Sequence, residues 1–488
     1  MPLISTWTLS LSIILLSISF LPQCAHSKAV FAHFMVSNTK SYTPKTWKSS
    51  ILTAQSASID AFALNAGYDT LKHAHTPQAL ADAFAAAQEL DFKLFFSLDY
   101  SGDGHWPRDR AVDLLKEYTD HPAYFRHSDG RALVSTFEGF ESAGDWGYIK
   151  GECCIFIPDW TSAGPRRAST IADVDGLMSW IAWPEGTSEM TTTTDEAYLS
   201  ALRGRPYIMP VSPWFYTNLR RFGKNWVWRG DDLWYTRWQQ VLGLDPQPEY
   251  VEILTWNDYG ESHYIGPLPE ERGEVAGILD EAGAPFDYVT GMPHDGWRVL
   301  LPYLIAQYKA TTEEERQGVE IGEEVLSVWY RVSHADACKD GGTTGKSKAP
   351  EQNQLAPGEV LEDRVFYSAL LEEEAEVRVS IGGDSQSAEW MNVPDGGKGV
   401  YHGSVPMGER TGEVVVTLSR KGEALAEMKG ASIERECARN LTNWNAWVGN
   451  ATARTRPKQE GGKESRAAAR QPWGSLLAFT CFCLILSL

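Results

Sequence analysis

The feature that most constrains this chain is a series of eight short apolar runs, each rich in β-forming residues and closed by a polar or aromatic residue. The runs are Ala29–Val36, Ile59–Asn65, Lys93–Asp99, Ala132–Glu138, Cys153–Asp159, Gly176–Trp183, Pro206–Trp214 and Tyr250–Asn257. Apolar runs without alternation are typical of parallel strands buried on both faces. Because helix-like segments separate the runs, the sequence predicts an α/β fold of the (β/α)8, or TIM barrel, kind.

Helical signals lie between these runs. Thr76 and Pro77 fit the cap and first turn of a helix over Gln78–Leu90. The other predicted helices are Asp109–Thr119, Asp195–Leu202, Asp231–Leu242 and Trp297–Tyr308, with a solvated helix over Glu313–Glu324. A doubly wound sheet is the alternative fold, but it usually carries a glycine-rich loop after its first strand, and this sequence has none there.

The C-terminal part has a different pattern. Asp340–Gly358 is rich in Gly, Thr, Lys and Pro and predicts a linker or long loop. Val360–Ile433 alternates apolar and polar residues between glycine turns, which predicts a small antiparallel, β-sandwich-like domain. We therefore divide the folded chain into a catalytic barrel over 28–335 and an accessory β domain over 336–450. A structural cap is the favoured role of the second domain, and a sugar-binding module is the alternative.

Both ends of the chain resemble targeting segments. Residues 1–27 combine the apolar run Leu9–Leu21 with a small-residue cleavage site, as in a signal peptide. A polar spacer over 451–472 precedes the uncharged tail over 473–488, as in a glycolipid (GPI) anchor signal. Ser465 is the favoured attachment site, Gly461 and Gly462 are competitors, and an unprocessed tail or a tail-anchor helix is the alternative. We expect a secreted or cell-surface protein, attached to membrane or wall only through such an anchor.

The cysteines and sequons fit the secretory route. Once both terminal segments are set aside, Cys153, Cys154, Cys338 and Cys437 remain. Cys338 and Cys437 bracket the β-rich segment and are predicted to form a disulfide, although either could pair with Cys153 or Cys154 instead. The adjacent Cys153 and Cys154 form a vicinal bridge or stay small core residues. Sequons at Asn440 and Asn450 predict glycosylation.

Charge and aromatic content narrow the class of partner. The net charge of −20 argues against nucleic acid and anionic membranes, which it would repel, whereas a neutral polymer is compatible with it. The chain has 19 Trp residues, whose flat faces suit sugar rings, although filling a large core is the alternative explanation. We expect a monomer that acts on a polysaccharide without a cofactor.

Polar and aromatic residues follow the predicted strands, and in a barrel these strand ends meet at one face. The candidate sugar-binding residues at or beside these ends are Asn65, Asp99, Asp159, Trp183, Trp214, Trp256, Asn257, Tyr259 and His263, with Glu138 less certain. Asp99 and Asp159 have an equal alternative as helix caps or loop braces. No His, Cys or Asp spacing indicates a metal site, and no Gly-x-Ser-x-Gly, Walker or dinucleotide motif occurs.

The most specific segment is Thr255–His263, where the eighth strand is predicted to end. Asp258 and Glu261 leave the strand three residues apart, with Gly260 permitting a turn between them. Glycoside hydrolysis needs two carboxyl groups, one to protonate the leaving oxygen and one to activate water or attack directly. Glu261 is the favoured acid and Asp258 the favoured base, because Glu has the slightly higher reference pKa. A surface pair without a role is the alternative.

At this point the chain resembles the α-1,3-glucanases, or mutanases, of glycoside hydrolase family 71 of fungi. The resemblance runs from about Lys28 to Gln307. It is carried by 30–36, 60–67, 92–99, 157–160, 255–262 and 264–267. It implies a barrel with an appended β domain, an inverting endo-hydrolysis of α-1,3-glucosidic bonds in wall glucan, and Asp258 with Glu261 as the catalytic pair. A non-catalytic glucan-binding protein and a hydrolase of another glucan linkage are the alternatives.

Overall fold

The computed structural model describes residues 28–102, 104–151, 153–270, 273–343 and 355–453. The predicted signal peptide, the predicted anchor site Ser465 and the terminal tail lie outside the described residues. Within the described part, no helix has the length and apolarity needed to cross a bilayer.

Ten strands precede the segment that carries Asp258 and Glu261. They are β1 (Ala29–Met35), β2 (Ala61–Gly67), β3 (Lys93–Asp99), β4 (Ala132–Phe137), β5 (Cys154–Phe156), β6 (Leu177–Met178), β7 (Tyr207–Val211), β8 (Tyr216–Leu219), β9 (Lys224–Val227) and β10 (Tyr250–Ile253). Strands β8 and β9 form a separate antiparallel hairpin, and the other eight form one parallel sheet in the order β5-β4-β3-β2-β1-β10-β7-β6. Asp159 links the two edges, because its backbone bridges both Phe137 and Met178. The predicted barrel is confirmed.

Helices surround this sheet. They are α1 (Pro44–Ser56), α2 (Thr76–Glu89), α3 (Arg108–Tyr118), α4 (Trp146–Lys150), α5 (Pro165–Ala168), α6 (Thr193–Leu202), α7 (Leu233–Gly243), α8 (Glu274–Glu281), α9 (Leu301–Lys309), α10 (Glu313–Gln317) and α11 (Pro357–Val360). Helix α1 was not predicted, although Thr43 caps it and Pro44 starts it. Thr76 is not a cap as predicted, because its buried hydroxyl donates to the Thr70 carbonyl.

The sixth strand differs most from its prediction. The run Gly176–Trp183 forms only the two-residue strand β6. After Met178 the backbone leaves the ladder, because the N–H of Trp180 donates to the Thr161 hydroxyl at 2.7 Å and that of Ile181 to the Ser179 hydroxyl at 3.1 Å. Side-chain hydroxyls therefore accept the hydrogen bonds that a neighbouring strand would otherwise accept, and the remaining residues of the run form a loop after β6.

The C-terminal part is antiparallel, as predicted. Its strands are β11 (Val325–Tyr330), β12 (Arg364–Leu371), β13 (Glu376–Ile381), β14 (Asp384–Ser387), β15 (Gly399–Pro406), β16 (Gly412–Arg420), β17 (Glu423–Ile433) and β18 (Trp447–Thr452). They form two four-stranded sheets, β15-β12-β11-β18 and β14-β13-β16-β17, around a separate hydrophobic core. Strand β11 lies inside the range 28–335 that was assigned to the barrel, and β18 extends past residue 450 into the range assigned to the spacer. The domain boundaries themselves stay predictions.

Among the described residues, two disulfides are formed, Cys338–Cys437 and the vicinal Cys153–Cys154. Asn440 and Asn450 are both exposed, and Asn450 lies on β18, an edge strand of its sheet. Both sequons are therefore accessible to a glycan on the folded domain.

Candidate active site

The segment after β10 folds into a tight loop that carries both predicted carboxylates. Its two ends are joined by backbone hydrogen bonds of Thr255, which donates to the His263 carbonyl at 2.8 Å and accepts from the Ile265 N–H at 2.9 Å. Inside the loop, the N–H of Asp258 donates to the Thr255 hydroxyl at 2.9 Å, and the N–H of Glu261 donates to Oδ1 of Asp258 at 3.1 Å. These contacts fix the two acidic residues at the carboxyl end of the barrel strands.

A fully buried imidazole lies between the two carboxylates. Nε2 of His263 is 3.5 Å from Oδ2 of Asp258 and 3.4 Å from Oε2 of Glu261. The His263 ring packs against the rings of Trp183 and Phe215, each with centroids 5.5 Å away. One atom from each of the three ionisable groups lies within 4.8 Å of the others. As placed, Asp258 and Glu261 therefore face one imidazole.

Asp258 is held in its ionised form. Burial alone would raise the pKa of its carboxyl, but the hydrogen bond and charge of His263, then the charge of Lys224, outweigh burial and leave the pKa below its ordinary value. Its side chain is 18% exposed, so the carboxylate still reaches the cleft. Asp258 is therefore an anion at neutral pH, as a general base must be.

Lys224, on β9, supplies the cation of the site. Its Nζ lies 2.5 Å from Oε1 of Glu261, and the side chains are 39% and 12% exposed respectively. The charge of Glu261 is the main cause that raises the pKa of Lys224. Lys224 was not predicted as a site residue from the sequence. Gly223 has a φ of 64°, which suits a hairpin turn, and a short strand lies on each side of it. This turn glycine is the sequence signal from which the hairpin that carries Lys224 could have been predicted.

The three groups Asp258, Glu261 and His263 are close enough to share one cation. Lys224 already provides a positive charge beside Glu261, so the arrangement is electrostatically paired without a metal. The expectation of a metal-free site stays a prediction.

Asn65 and Asp99 lie at the ends of neighbouring strands β2 and β3 and are nearly buried. Oδ1 of Asp99 accepts from the N–H groups of Ser101 and Gly102, at 2.8 and 2.6 Å, so this carboxylate braces the loop after β3. Glu138 braces another loop, because its carboxylate accepts from the N–H and hydroxyl of Ser162. These contacts fit the bracing alternative for Asp99, and its role in sugar binding stays a prediction.

Asp159 is fully buried as placed, and its assignment as a sugar-binding residue stays a prediction. Oδ1 accepts from the N–H and hydroxyl of Thr161, at 3.1 and 2.5 Å. Burial, then the charge of Glu138, raises the pKa of Asp159 well above its ordinary range. Asp159 joins the sheet edges and braces the following turn; as placed it does not contact the cleft.

Three residues around Asp258 are also structural. The Asn257 side chain accepts from the N–H of Met35 at 2.7 Å and donates to its carbonyl at 3.1 Å, which ties the site loop to β1. The Trp256 ring packs on Phe62 behind the sheet, and the Tyr259 hydroxyl donates to the Pro267 carbonyl. All three are buried as placed, and their assignment as sugar-binding residues stays a prediction.

The two other predicted Trp residues differ in position. Trp214 is buried, and its indole N–H donates at 2.9 Å to the carbonyl of Trp444, which lies just before β18. This contact joins the barrel to the C-terminal part, and the assignment of Trp214 as a sugar-binding residue stays a prediction. Trp183 packs beside His263 and is 6% exposed, so it lies at the wall of the site.

A second buried pair of ionisable side chains, His33 and Glu252, joins strands β1 and β10. Nδ1 of His33 on β1 lies 2.7 Å from Oε1 of Glu252 on β10, and both side chains are buried. The half-buried ring of Trp180 packs edge-on against His33, with centroids 4.8 Å apart. Glu252 was not predicted as a site residue because it lies within an apolar run. Its position along β10, which the composition of the run does not reveal, places its side chain inside the barrel.

The comparison with known families gives the decisive observation. The profile described as glycosyl hydrolase family 71 matches residues 26–460. The chain belongs to this family. Family 71 membership confirms the resemblance seen in the sequence and makes the protein a glycoside hydrolase.

Named relatives of this family 71 enzyme span almost all of it. It is 33% identical over 437 residues to "Mutanase Pc12g07500" of Penicillium rubens, covering 87% of this chain and 89% of the relative. It is 35% identical over 445 residues to "Glucan endo-1,3-alpha-glucosidase agn1" of Schizosaccharomyces pombe, covering 86% and 94% respectively. Among solved structures, a GH99 endo-alpha-mannosidase from Bacteroides thetaiotaomicron is similar at a TM-score of 0.41 and 13% identity, covering 59% of this chain and 98% of that one.

Proposed function

We propose that this family 71 enzyme is an inverting endo-hydrolase of α-1,3-glucosidic bonds in fungal wall glucan. The observation that carries the proposal is the pairing of Asp258 and Glu261 about His263 at the carboxyl end of the barrel. The linkage comes from the relatives whose names specify mutanase and endo-1,3-alpha-glucosidase activity. The reaction consumes water and needs no cofactor.

In the proposed mechanism, Glu261 donates a proton to the glycosidic oxygen, and Asp258 removes a proton from the attacking water. The lowered pKa of Asp258 supports its role as the base. Inverting enzymes hold the two carboxyl groups about 6.5–9.5 Å apart. Glu261 and Asp258 both contact His263 here, so we propose that an entering glucan turns the protonated Glu261 carboxyl away from His263, about its contact with Lys224, and widens the gap.

The proposed substrate contacts are those predicted residues that reach the wall of the cleft. Asn65 and Asp99 present polar atoms at the ends of β2 and β3, and Trp183 presents an indole beside His263. The half-buried Trp180 adds a second aromatic surface at the end of β6. Flat aromatic faces beside hydrogen-bonding side chains suit a sugar ring.

We expect the purified protein to release sugars from α-1,3-glucan but not from β-1,3-glucan or starch. The cleft should match one glycosidic geometry, because catalysis requires the scissile oxygen within reach of Glu261. Chromatography of the products tests this, with Glu261→Gln as the matched inactive control. Nuclear magnetic resonance of the first-formed anomer tests inversion. Equal or better release from β-1,3-glucan contradicts the substrate assignment, and binding without release by the unaltered protein favours a glucan-binding role.

We also propose that the protein is attached to the cell surface by a glycolipid anchor at Ser465. The uncharged tail over 473–488 after a polar spacer supports this. Phosphatidylinositol-specific phospholipase should release the protein from membranes, and deletion of 473–488 should send it into the medium. Recovery from the medium of a protein that still ends at Leu488 contradicts the proposal.

A further inference from the structure

The hairpin β8–β9 is docked directly on the loop that carries the carboxylates. The N–H of Tyr216 donates to the Glu261 carbonyl at 3.1 Å. The Tyr288 hydroxyl donates to the Gly260 carbonyl at 2.8 Å, and the Tyr288 ring packs on Tyr216 with centroids 4.8 Å apart. The base of the hairpin and the site loop therefore form one hydrogen-bonded unit, and Lys224 extends from that unit to Glu261.

The far strand of the hairpin is held by a segment next to the disulfide. The Asn225 side chain donates to the Gly341 carbonyl at 3.1 Å and accepts from the Thr343 hydroxyl at 2.7 Å. The same segment is anchored in turn, because Trp444 donates its indole N–H to the Asp340 carbonyl at 3.3 Å and Cys338 is cross-linked to Cys437. Asn225 is the neighbour of Lys224, so this clamp fixes the backbone from which Lys224 extends.

We infer that Lys224 is a positioning residue for Glu261, and that the Asn225 clamp on Gly341 and Thr343 sets where Lys224 stands. The inference rests on the proposed function, since it takes Glu261 as the catalytic acid. The Lys224 ammonium holds one oxygen of Glu261, so the side chain has a defined orientation before substrate arrives. Orientation of a catalytic group matters strongly, since a misplacement of about 1 Å can cost roughly 10²-fold in rate.

The charge of Lys224 acts on Asp258 as well. The charged groups that face Lys224 are Glu261 and Asp258 from the site loop and Asp99 from the end of β3. Asp258 is also faced by His263 and by the phenol of Tyr288. Lys224 is among the causes that lower the pKa of Asp258, so its removal should raise that pKa and shift the acidic limb of the pH profile to higher pH.

The test compares Lys224→Gln with Lys224→Arg on a soluble α-1,3-linked glucan oligosaccharide. We expect Lys224→Gln to lower kcat roughly 10- to 100-fold with little change in KM, since a misplaced Glu261 affects the chemical step. The acidic limb of kcat/KM should move to higher pH in Lys224→Gln and stay in place in Lys224→Arg, which keeps the charge. Asn225→Ala should lower kcat with the acidic limb unchanged.

Lys429→Gln is the control, because Lys429 lies on β17 in an exposed pair with Glu427. Thermal melts establish that each variant folds, and Asn225→Ala carries the test if Lys224→Gln does not fold. Unchanged kcat and pH profile in Lys224→Gln overturn the inference, as does a loss confined to KM, which would make Lys224 a substrate contact. Glu261→Gln distinguishes failure of this inference from failure of the proposed function. If Glu261→Gln is inactive while Lys224→Gln has normal activity, only this inference fails. If Glu261→Gln is active, the proposed function fails as well.

Discussion

Replacing Glu261 by Gln or Asp258 by Asn should lower kcat on α-1,3-glucan by about 10²–10⁴-fold, the usual contribution of general acid or base catalysis. Both substitutions keep the shape of the side chain and remove the ionisable group. Because the N–H of Glu261 donates to Oδ1 of Asp258, an Asn that keeps its oxygen at this position preserves the loop. The loss should therefore lie in the rate and not in the fold.

Three measurements check this expectation. Initial rates give kcat, glucan pull-down gives binding, and thermal melts report the fold. Asn257→Ala is the informative comparison, because that side chain ties the loop to Met35 and has no part in the chemistry. It should lower the melting temperature, whereas Glu261→Gln should leave it close to that of the unaltered protein. A near-normal rate in either carboxylate variant would remove that residue from the catalytic pair.

Removal of the Cys338–Cys437 disulfide should have the largest effect on stability. The bridge spans a sequence separation of 99 residues. In the chain-entropy model a disulfide that closes a loop of this size lowers the entropy of the unfolded chain and so raises its free energy, and loss of the disulfide costs about 4–5 kcal/mol as an upper figure. The double variant Cys338→Ser with Cys437→Ser should therefore unfold at clearly lower denaturant concentration.

The vicinal bridge provides the matched control. Cys153 and Cys154 are adjacent, so their disulfide encloses almost no chain and restricts the unfolded state little. The pair of substitutions Cys153→Ser and Cys154→Ser should cost much less than the first pair. Equal losses would contradict the loop-entropy explanation. Non-reducing peptide mapping tests the connectivity directly, and a linked peptide that contains Cys338 with Cys154 would show that the pairing is wrong.

The barrel could be predicted because its strands repeat one physical pattern. A strand buried on both faces must be apolar along its length, and the run at 93–99 matches β3 residue for residue. The run at 176–183 failed as a strand, because side-chain hydroxyls of Thr161 and Ser179 capture its backbone N–H groups. That competition involves a residue distant in sequence, which local composition does not reveal.

The candidate site was predicted in part for the same reason. Asp258 and Glu261 are three residues apart on one loop, so their proximity follows from the local sequence. Lys224 reaches Glu261 from a different strand, across 37 residues of chain, and only the fold brings them together. Trp214 and Trp256 are buried, and the sequence could not predict this because an indole that fills the core has the same sequence appearance as one that faces a sugar.

The junction between the two edges of the barrel sheet, here called the seam, affects where the barrel opens locally. Strand β6 has only two residues, and its link to the opposite sheet edge passes through Asp159. Local opening of a protein begins where the fewest backbone hydrogen bonds must break. We therefore expect this seam to open more readily than longer strand pairs of the ring such as β2 with β3. Trp180 follows β6 at this seam, so we expect this side of the cleft to move when a polysaccharide binds. The side that carries the hydrogen-bonded Asp258 and Glu261 should stay rigid.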